Sequence, residues 1–91
     1  MSITINLPTV LAKLADGQRS VEAKGLSLGE AVADIAARYP ALAPRLRDAA
    51  GNPYSFVLFY VNDEDIRLSG GFNTPVQDGD EVTVVPAIAG G

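Results

Sequence analysis

The stretch that decides the fold is Asp78-Gly79-Asp80-Glu81-Val82-Thr83-Val84-Val85-Pro86-Ala87-Ile88-Ala89-Gly90-Gly91. A tight Asp-Gly-Asp turn delivers a strand with Val82 and Val84 on one face and Thr83 and Val85 on the other. Pro86 closes the strand, and five small or aliphatic residues without charge follow. Two glycines at the final two positions arise by chance in roughly 0.5% of chains at average glycine usage. The ending therefore calls for a reason, and the reason depends on the body upstream.

At the other end, Ser2 to Leu7 alternates as a second clear strand, with Ile3, Ile5 and Leu7 on the buried face and Pro8 as its stop. Thr9 to Leu14 suits a short helical turn before Asp16-Gly17. Gln18 to Ala23 reads as a strand antiparallel to the first. Ser27-Leu28-Gly29-Glu30 is a capping box. It opens a helix to about Tyr39 with Leu28, Val32, Ile35, Ala36 and Tyr39 along one face, and Pro40 ends it. Ala41 to Ala50 suits a second short helix with Leu42 and Leu46 inward, broken by Gly51-Asn52-Pro53. Phe56 to Val61 is an apolar, β-branched and aromatic run of strand length. Asn62 to Asp65 reads as a turn, Ile66-Arg67-Leu68 as a brief strand, and Gly70-Gly71 as a flexible turn.

The order β-β-α-β-β-β has its strongest strands at the two ends of the chain. Both are buried most simply as parallel central neighbours, with the main helix as a right-handed crossover on one sheet face. The fold class is α+β, a β-grasp (ubiquitin-like) mixed sheet. Residues 1–86 form the domain, and residues 87–91 form a flexible C-terminal tail.

Composition narrows the chemistry. Ninety-one residues make one core, with no Cys and no His and a net charge of −4. Disulfides, the usual zinc sites and His-activated nucleophiles are excluded. The charge disfavours nucleic acid, which is bound by neutralising phosphates. No signal peptide or membrane-spanning run is visible, so a cytoplasmic protein is expected. The carboxylates Asp63, Glu64, Asp65, Asp78, Asp80 and Glu81 lack the spacing of a calcium loop and read as solvated turns, so no metal site is expected.

The β-grasp order, the turn-strand at Asp78-Gly79-Asp80 and Val82, Pro86 and the terminal Gly90-Gly91 together resemble the MoaD/ThiS family of sulfur-carrier proteins. The segment Tyr60-Val61-Asn62-Asp63-Glu64-Asp65-Ile66-Arg67-Leu68-Ser69-Gly70-Gly71 and the tail from Pro86 are similar to the CysO-type carriers of cysteine biosynthesis. The resemblance implies a carrier that is not itself an enzyme and has no catalytic residues of its own. Its Gly91 carboxylate would be adenylated with ATP and Mg²⁺ by an E1-like adenylyltransferase. A rhodanese-type or desulfurase sulfur donor would convert the adenylate to a thiocarboxylate. The acceptor would be a PLP-dependent cysteine synthase, with a zinc-dependent peptidase releasing the product. Two alternatives share this chemistry: the small, MoaD-like subunit of molybdopterin synthase, and a ubiquitin-like modifier conjugated to lysines.

The residue types fit such a cycle. An anionic carboxylate must meet anionic phosphates, which requires a cationic site in another protein. A tail of five residues at ~3.3–3.6 Å each spans roughly 17 Å. Gly90 and Gly91 can pass a narrow slot, and Ala87, Ile88 and Ala89 can enter an apolar channel without desolvating a charge. If Val57, Phe59 and Val61 point inward, Phe56, Leu58 and Tyr60 point outward. Leu58, Tyr60, Thr83 and Val85 are then the expected partner-docking patch.

Overall fold

The computed structural model describes residues 2–52 and 57–86. The tail residues Ala87, Ile88, Ala89, Gly90 and Gly91, together with Pro53 and Phe56, lie outside the described residues. Strand β1 is Ile3–Asn6, helix α1 is Thr9–Ala12, strand β2 is Ser20–Ala23, helix α2 is Leu28–Arg38 and helix α3 is Ala43–Leu46. Strands β3, Val57–Val61, β4, Glu64–Asp65, and β5, Glu81–Pro86, complete a five-stranded sheet in the order β2-β1-β5-β3-β4. β1 and β5 are the parallel pair expected from the sequence, with Ile5 opposite Val82, and the other pairings are antiparallel.

The apolar alternation places Ile3 and Ile5 of β1, Val21 and Ala23 of β2, Val57, Phe59 and Val61 of β3, and Val82 and Val84 of β5 on one face. Leu28, Ala31, Val32, Ile35 and Ala36 of α2 close against that face, with Leu42 and Leu46 beside them. Ile5, Leu28, Val32, Ile35 and Val82 are fully buried. Each such side chain contributes about 1.5–3 kcal/mol of transfer free energy. Tyr39 packs at the rim, where its hydroxyl accepts from Gln18 Nε2 at 2.8 Å.

The start of α2 is held from two directions. Ser27 Oγ accepts from the Glu30 amide at 3.2 Å, as a capping box requires, but the Glu30 carboxylate reaches one residue further back and accepts from the Leu26 amide at 2.9 Å. Leu28 N–H donates to the Thr74 carbonyl and Val76 N–H to the Leu26 carbonyl, so residues 74–76 clamp the helix entrance. Within this loop Val76 is buried, and the buried Thr74 hydroxyl donates to the Gly71 carbonyl at 2.6 Å. Phe72 meets Phe59 edge-on at 5.2 Å.

One local expectation is overturned. Ile66–Leu68 is a 3₁₀ turn, not a strand, and the short strand is Glu64–Asp65. The hairpin turns through Asn62 and Asp63, both left-handed with φ of 50° and 73°. This two-residue turn brings Glu64 back beside Val61 at once. Asp65 then caps the following turn by accepting from the Arg67 amide at 2.9 Å, which favours 3₁₀ geometry over further pairing. Gly70 and Gly71 both sit at positive φ, so that loop requires glycine for its backbone shape.

Gly25 illustrates how tightly the helix entrance is packed. A Cβ there would stand 2.8 Å from the Ala31 amide nitrogen and 2.7 Å from Glu30 Cβ. Backbone cannot yield as a flexible side chain can. Gly25→Ala should therefore lower stability by about 1–3 kcal/mol, as overpacking does. The urea midpoint should fall with the slope unchanged; an unaltered midpoint would contradict this packing.

Candidate functional site

Burial of alternate residues on β3 and β5 turns the intervening side chains to the face away from α2. Leu58 lies directly opposite Val85, and Tyr60 opposite Thr83. The four residues expected to form a patch therefore share one face of two central neighbouring strands. Val85 is exposed, while Leu58, Tyr60 and Thr83 are half-buried. The patch is a shallow apolar surface rather than a set of protruding side chains. The Leu58–Val85 pair stands next to Pro86, where the tail begins.

Away from that pair the same face turns polar. Asn6 of β1 stands beside Thr83, and Ser20 of β2 beside Asn6. Asn6 Nδ2 donates to Glu81 Oε1 at 3.0 Å and Ser20 Oγ donates to Asn6 Oδ1 at 2.9 Å. On the other flank Tyr60 lies opposite Asp65, whose carboxylate receives Nε and Nη2 of Arg67, the shortest contact being 2.6 Å. These guanidinium hydrogen bonds, and then the Arg67 amide, hold the Asp65 carboxyl below the usual aspartate range.

Asp78 and Asp80 at this end of the sheet also accept hydrogen bonds from neighbouring segments. Asp78 Oδ1 accepts from the Ser2 amide at 2.8 Å, and the Ser2 carbonyl accepts from Gly79 N–H. Asp80 receives the Gln77 amide on Oδ2 at 2.8 Å and Asn62 Nδ2 on Oδ1 at 3.0 Å. These carboxylates lie in exposed turns, as expected, and the Asp78-Gly79-Asp80 turn also ties the ends of β1, β3 and β5 together. Among the described residues, no group of three or more acidic side chains converges as a metal site would.

Several features were missed in the sequence. Val10, Leu26 and Leu68 are exposed large hydrophobic residues outside the expected patch. Leu68 is exposed because the 3₁₀ turn, unlike a strand, leaves it without a neighbouring strand. Asp34 and Arg38 of α2 reach over the outer edge of β2, and their acid-base spacing of four residues was a visible signal.

A mixed β-grasp sheet with one face covered by a helix and the other open is the architecture of the ubiquitin-like proteins, which function by being recognised. Residues 5–91 match the ThiS family. The sulfur carrier protein CysO of Mycobacterium tuberculosis is 46% identical over 93 residues, with 100% of both chains covered. A chain of the crystal structure of the Amycolatopsis orientalis BexX/CysO complex superposes with a TM-score of 0.90 at 42% identity, covering 98% of this chain and 99% of the other. The crystal structure of SAMP1 from Haloferax volcanii gives a TM-score of 0.83 at 26% identity, with 100% of each chain covered. The chain belongs to the ThiS family. Sulfur carriers of this family are small protein substrates, not catalysts, and the chain is of that kind. No helix among the described residues is long and apolar enough to cross a membrane.

The Asp65–Arg67 pair gives a prediction with a definite sign. Lowering the folded-state pKa of Asp65 adds stability that is present above the ordinary aspartate pKa and is lost as pH falls through the folded value. Arg67→Ala should return the Asp65 carboxyl toward its ordinary range in a carboxylate NMR titration. The stability difference between wild type and variant should be small at neutral pH, because the pair is solvent-screened, and should vanish in acid. A titration unchanged by the substitution would count against the pair.

Proposed function

We propose that the chain is a sulfur carrier whose Gly91 carboxylate is loaded by partner enzymes. The observation that carries this reading is the full-length likeness to CysO, together with a family match that runs through Gly90 and Gly91. In this reading the Leu58–Val85 pair on the open face stands beside Pro86, the last residue of β5, after which the tail follows in sequence.

In the first step a carboxylate oxygen of Gly91 attacks the α-phosphorus of ATP in an E1-like adenylyltransferase. Pyrophosphate leaves and an acyl-adenylate forms, with Mg²⁺ and cationic side chains of the partner offsetting the negative charge. Sulfur from a rhodanese-type or desulfurase persulfide attacks the acyl carbon and expels AMP. A thiol then cleaves the resulting acyl disulfide to give the thiocarboxylate. Carboxylate is a poor electrophile and thiocarboxylate a good nucleophile, so the cycle reverses the reactivity of the chain end. The acceptor we assign is a PLP-dependent cysteine synthase, with a zinc-dependent peptidase freeing the product. ATP, Mg²⁺, PLP and zinc all belong to partners. The 46% identity to CysO, against 26% to SAMP1, ranks this above conjugation to lysines.

The test is reconstitution with a CysO-activating adenylyltransferase, ATP, Mg²⁺ and a sulfide source. Intact mass should rise by one oxygen-to-sulfur exchange, and adding the cysteine synthase with its acceptor substrate should return the mass to its starting value after release. Deleting Gly91 should abolish AMP transfer and leave the thermal midpoint unchanged within about 1 °C, since the deletion leaves every residue of β5, Glu81–Pro86, in place. AMP transfer to the shortened chain would overturn the assignment.

The docking patch is tested separately. Val85→Asp places a charge on an exposed position and should barely alter folding. If Leu58 and Val85 form the apolar centre of the interface, the variant should bind the activating partner at least ~10-fold more weakly. Equal affinity by calorimetry would move the interface elsewhere.

A further inference from the structure

β2 is an outer strand of the sheet, and its free edge is engaged by α2 in a specific way. Leu7 N–H donates to the Arg19 carbonyl, and Ile5 pairs with Val21 and Ile3 with Ala23. Because antiparallel pairs alternate in which residues exchange hydrogen bonds, Arg19, Val21 and Ala23 turn their backbone groups toward β1. Ser20, Glu22 and Lys24 therefore present N–H and C=O outward, an unpaired row of the kind that recruits another strand.

Two of those outward groups are already occupied. The Lys24 amide donates to Asp34 Oδ2 at 2.9 Å, and Arg38 Nη2 donates to the Glu22 carbonyl. Arg38 Nη2 also donates to the same Asp34 Oδ2 at 3.1 Å, closing the chain of contacts. Glu22, Lys24, Asp34 and Arg38, with Ser2, line a shallow cavity of about 270 Å³ over this edge.

These groups are the ones a second copy of β2 would use. In an antiparallel two-fold pairing centred on Ala23, Glu22 of each copy would lie opposite Lys24 of the other. The Glu22 carbonyl would accept the opposing Lys24 amide, and the Lys24 amide would donate to the opposing Glu22 carbonyl. Arg38 now supplies the donor and Asp34 the acceptor that this missing strand would bring. The exposed side chains of Glu22 and Lys24 would form two opposite-charge cross-strand pairs in this register, which favours it over registers that oppose like charges.

We propose that the Asp34–Arg38 pair is a latch that keeps the β2 edge from pairing with a second copy of this chain. An ion pair this exposed is weak, so the latch acts by occupying backbone groups rather than by stabilising the fold.

The full chain carrying Asp34→Ala and Arg38→Ala together should dimerise with an association constant at least ~10-fold above that of wild type, read by sedimentation velocity over a concentration series. Adding Glu22→Pro removes an outward amide and leaves the β1 ladder intact, so it should return the double variant to monomer. Adding Lys24→Glu should weaken the dimer by replacing attraction with repulsion. Should the double variant lack a native circular dichroism spectrum, Arg38→Met alone, which keeps the aliphatic stem, is judged by the same criteria. A latchless chain that folds but stays as monomeric as wild type overturns the proposal. So does a dimer that survives Glu22→Pro, or a wild-type chain already dimeric through this edge.

Discussion

The structure depends on the parallel pairing of β1 and β5, which places the first and last strands at the centre of the sheet. Parallel neighbours have no hairpin to fix their register. Here the register is fixed by the Asp78-Gly79-Asp80 turn: Ser2 exchanges hydrogen bonds with Asp78 and Gly79, and Thr4 N–H donates to the Asp80 carbonyl. Asn62 extends the same network to β3 through Asp80 and Glu81. A slip of one residue would turn Val82 and Val84 out of the core. The carboxylates of this end thus determine which side chains of β5 are available to partners.

That arrangement separates two tasks along one strand. β5 enters from the acidic turn, where hydrogen bonds are dense, and leaves at Pro86, where the apolar Leu58–Val85 pair sits. A contact made at the Pro86 end of β5 need not disturb the hydrogen bonds that Glu81 makes at its other end. The helix supplies the opposite face, and its five buried side chains leave the open face free of any packing duty.

Much of this was legible in the residues. Period-two alternation at both ends, the Ser27 cap, the Pro40 stop and the apolar run into Val61 are strong local signals, and each element formed. The parallel centre followed from needing both terminal strands buried. Loop residues were harder to read. Ile66-Arg67-Leu68 alternates like a strand, yet the left-handed pair Asn62 and Asp63 shortens the hairpin and the Asp65 cap redirects the chain. The buried Val76 meets Leu26 across 50 residues, which no local pattern encodes, and the close approach of Gly25 to Glu30 and Ala31 depends on how the chain enters the helix. The expected patch of Leu58, Tyr60, Thr83 and Val85 does share one face, but it is flatter than alternation implied because neighbouring side chains cover part of it. The reading of Gly90 and Gly91 as the reactive end rests on composition and family likeness, and both residues lie outside the described residues.

Central placement of the final strand also bears on how the chain matures. The Ser2–Asp78 contact joins residues 76 apart in sequence, so the heart of the sheet rests on a long-range closure of the sort that slows folding. During synthesis, β1 and β2 emerge well before β5, the strand that stands between β1 and β3. A prematurely terminated product lacking β5 cannot assemble its sheet and cannot display the open face. Topology thereby makes display of the open face depend on synthesis of the chain through Pro86.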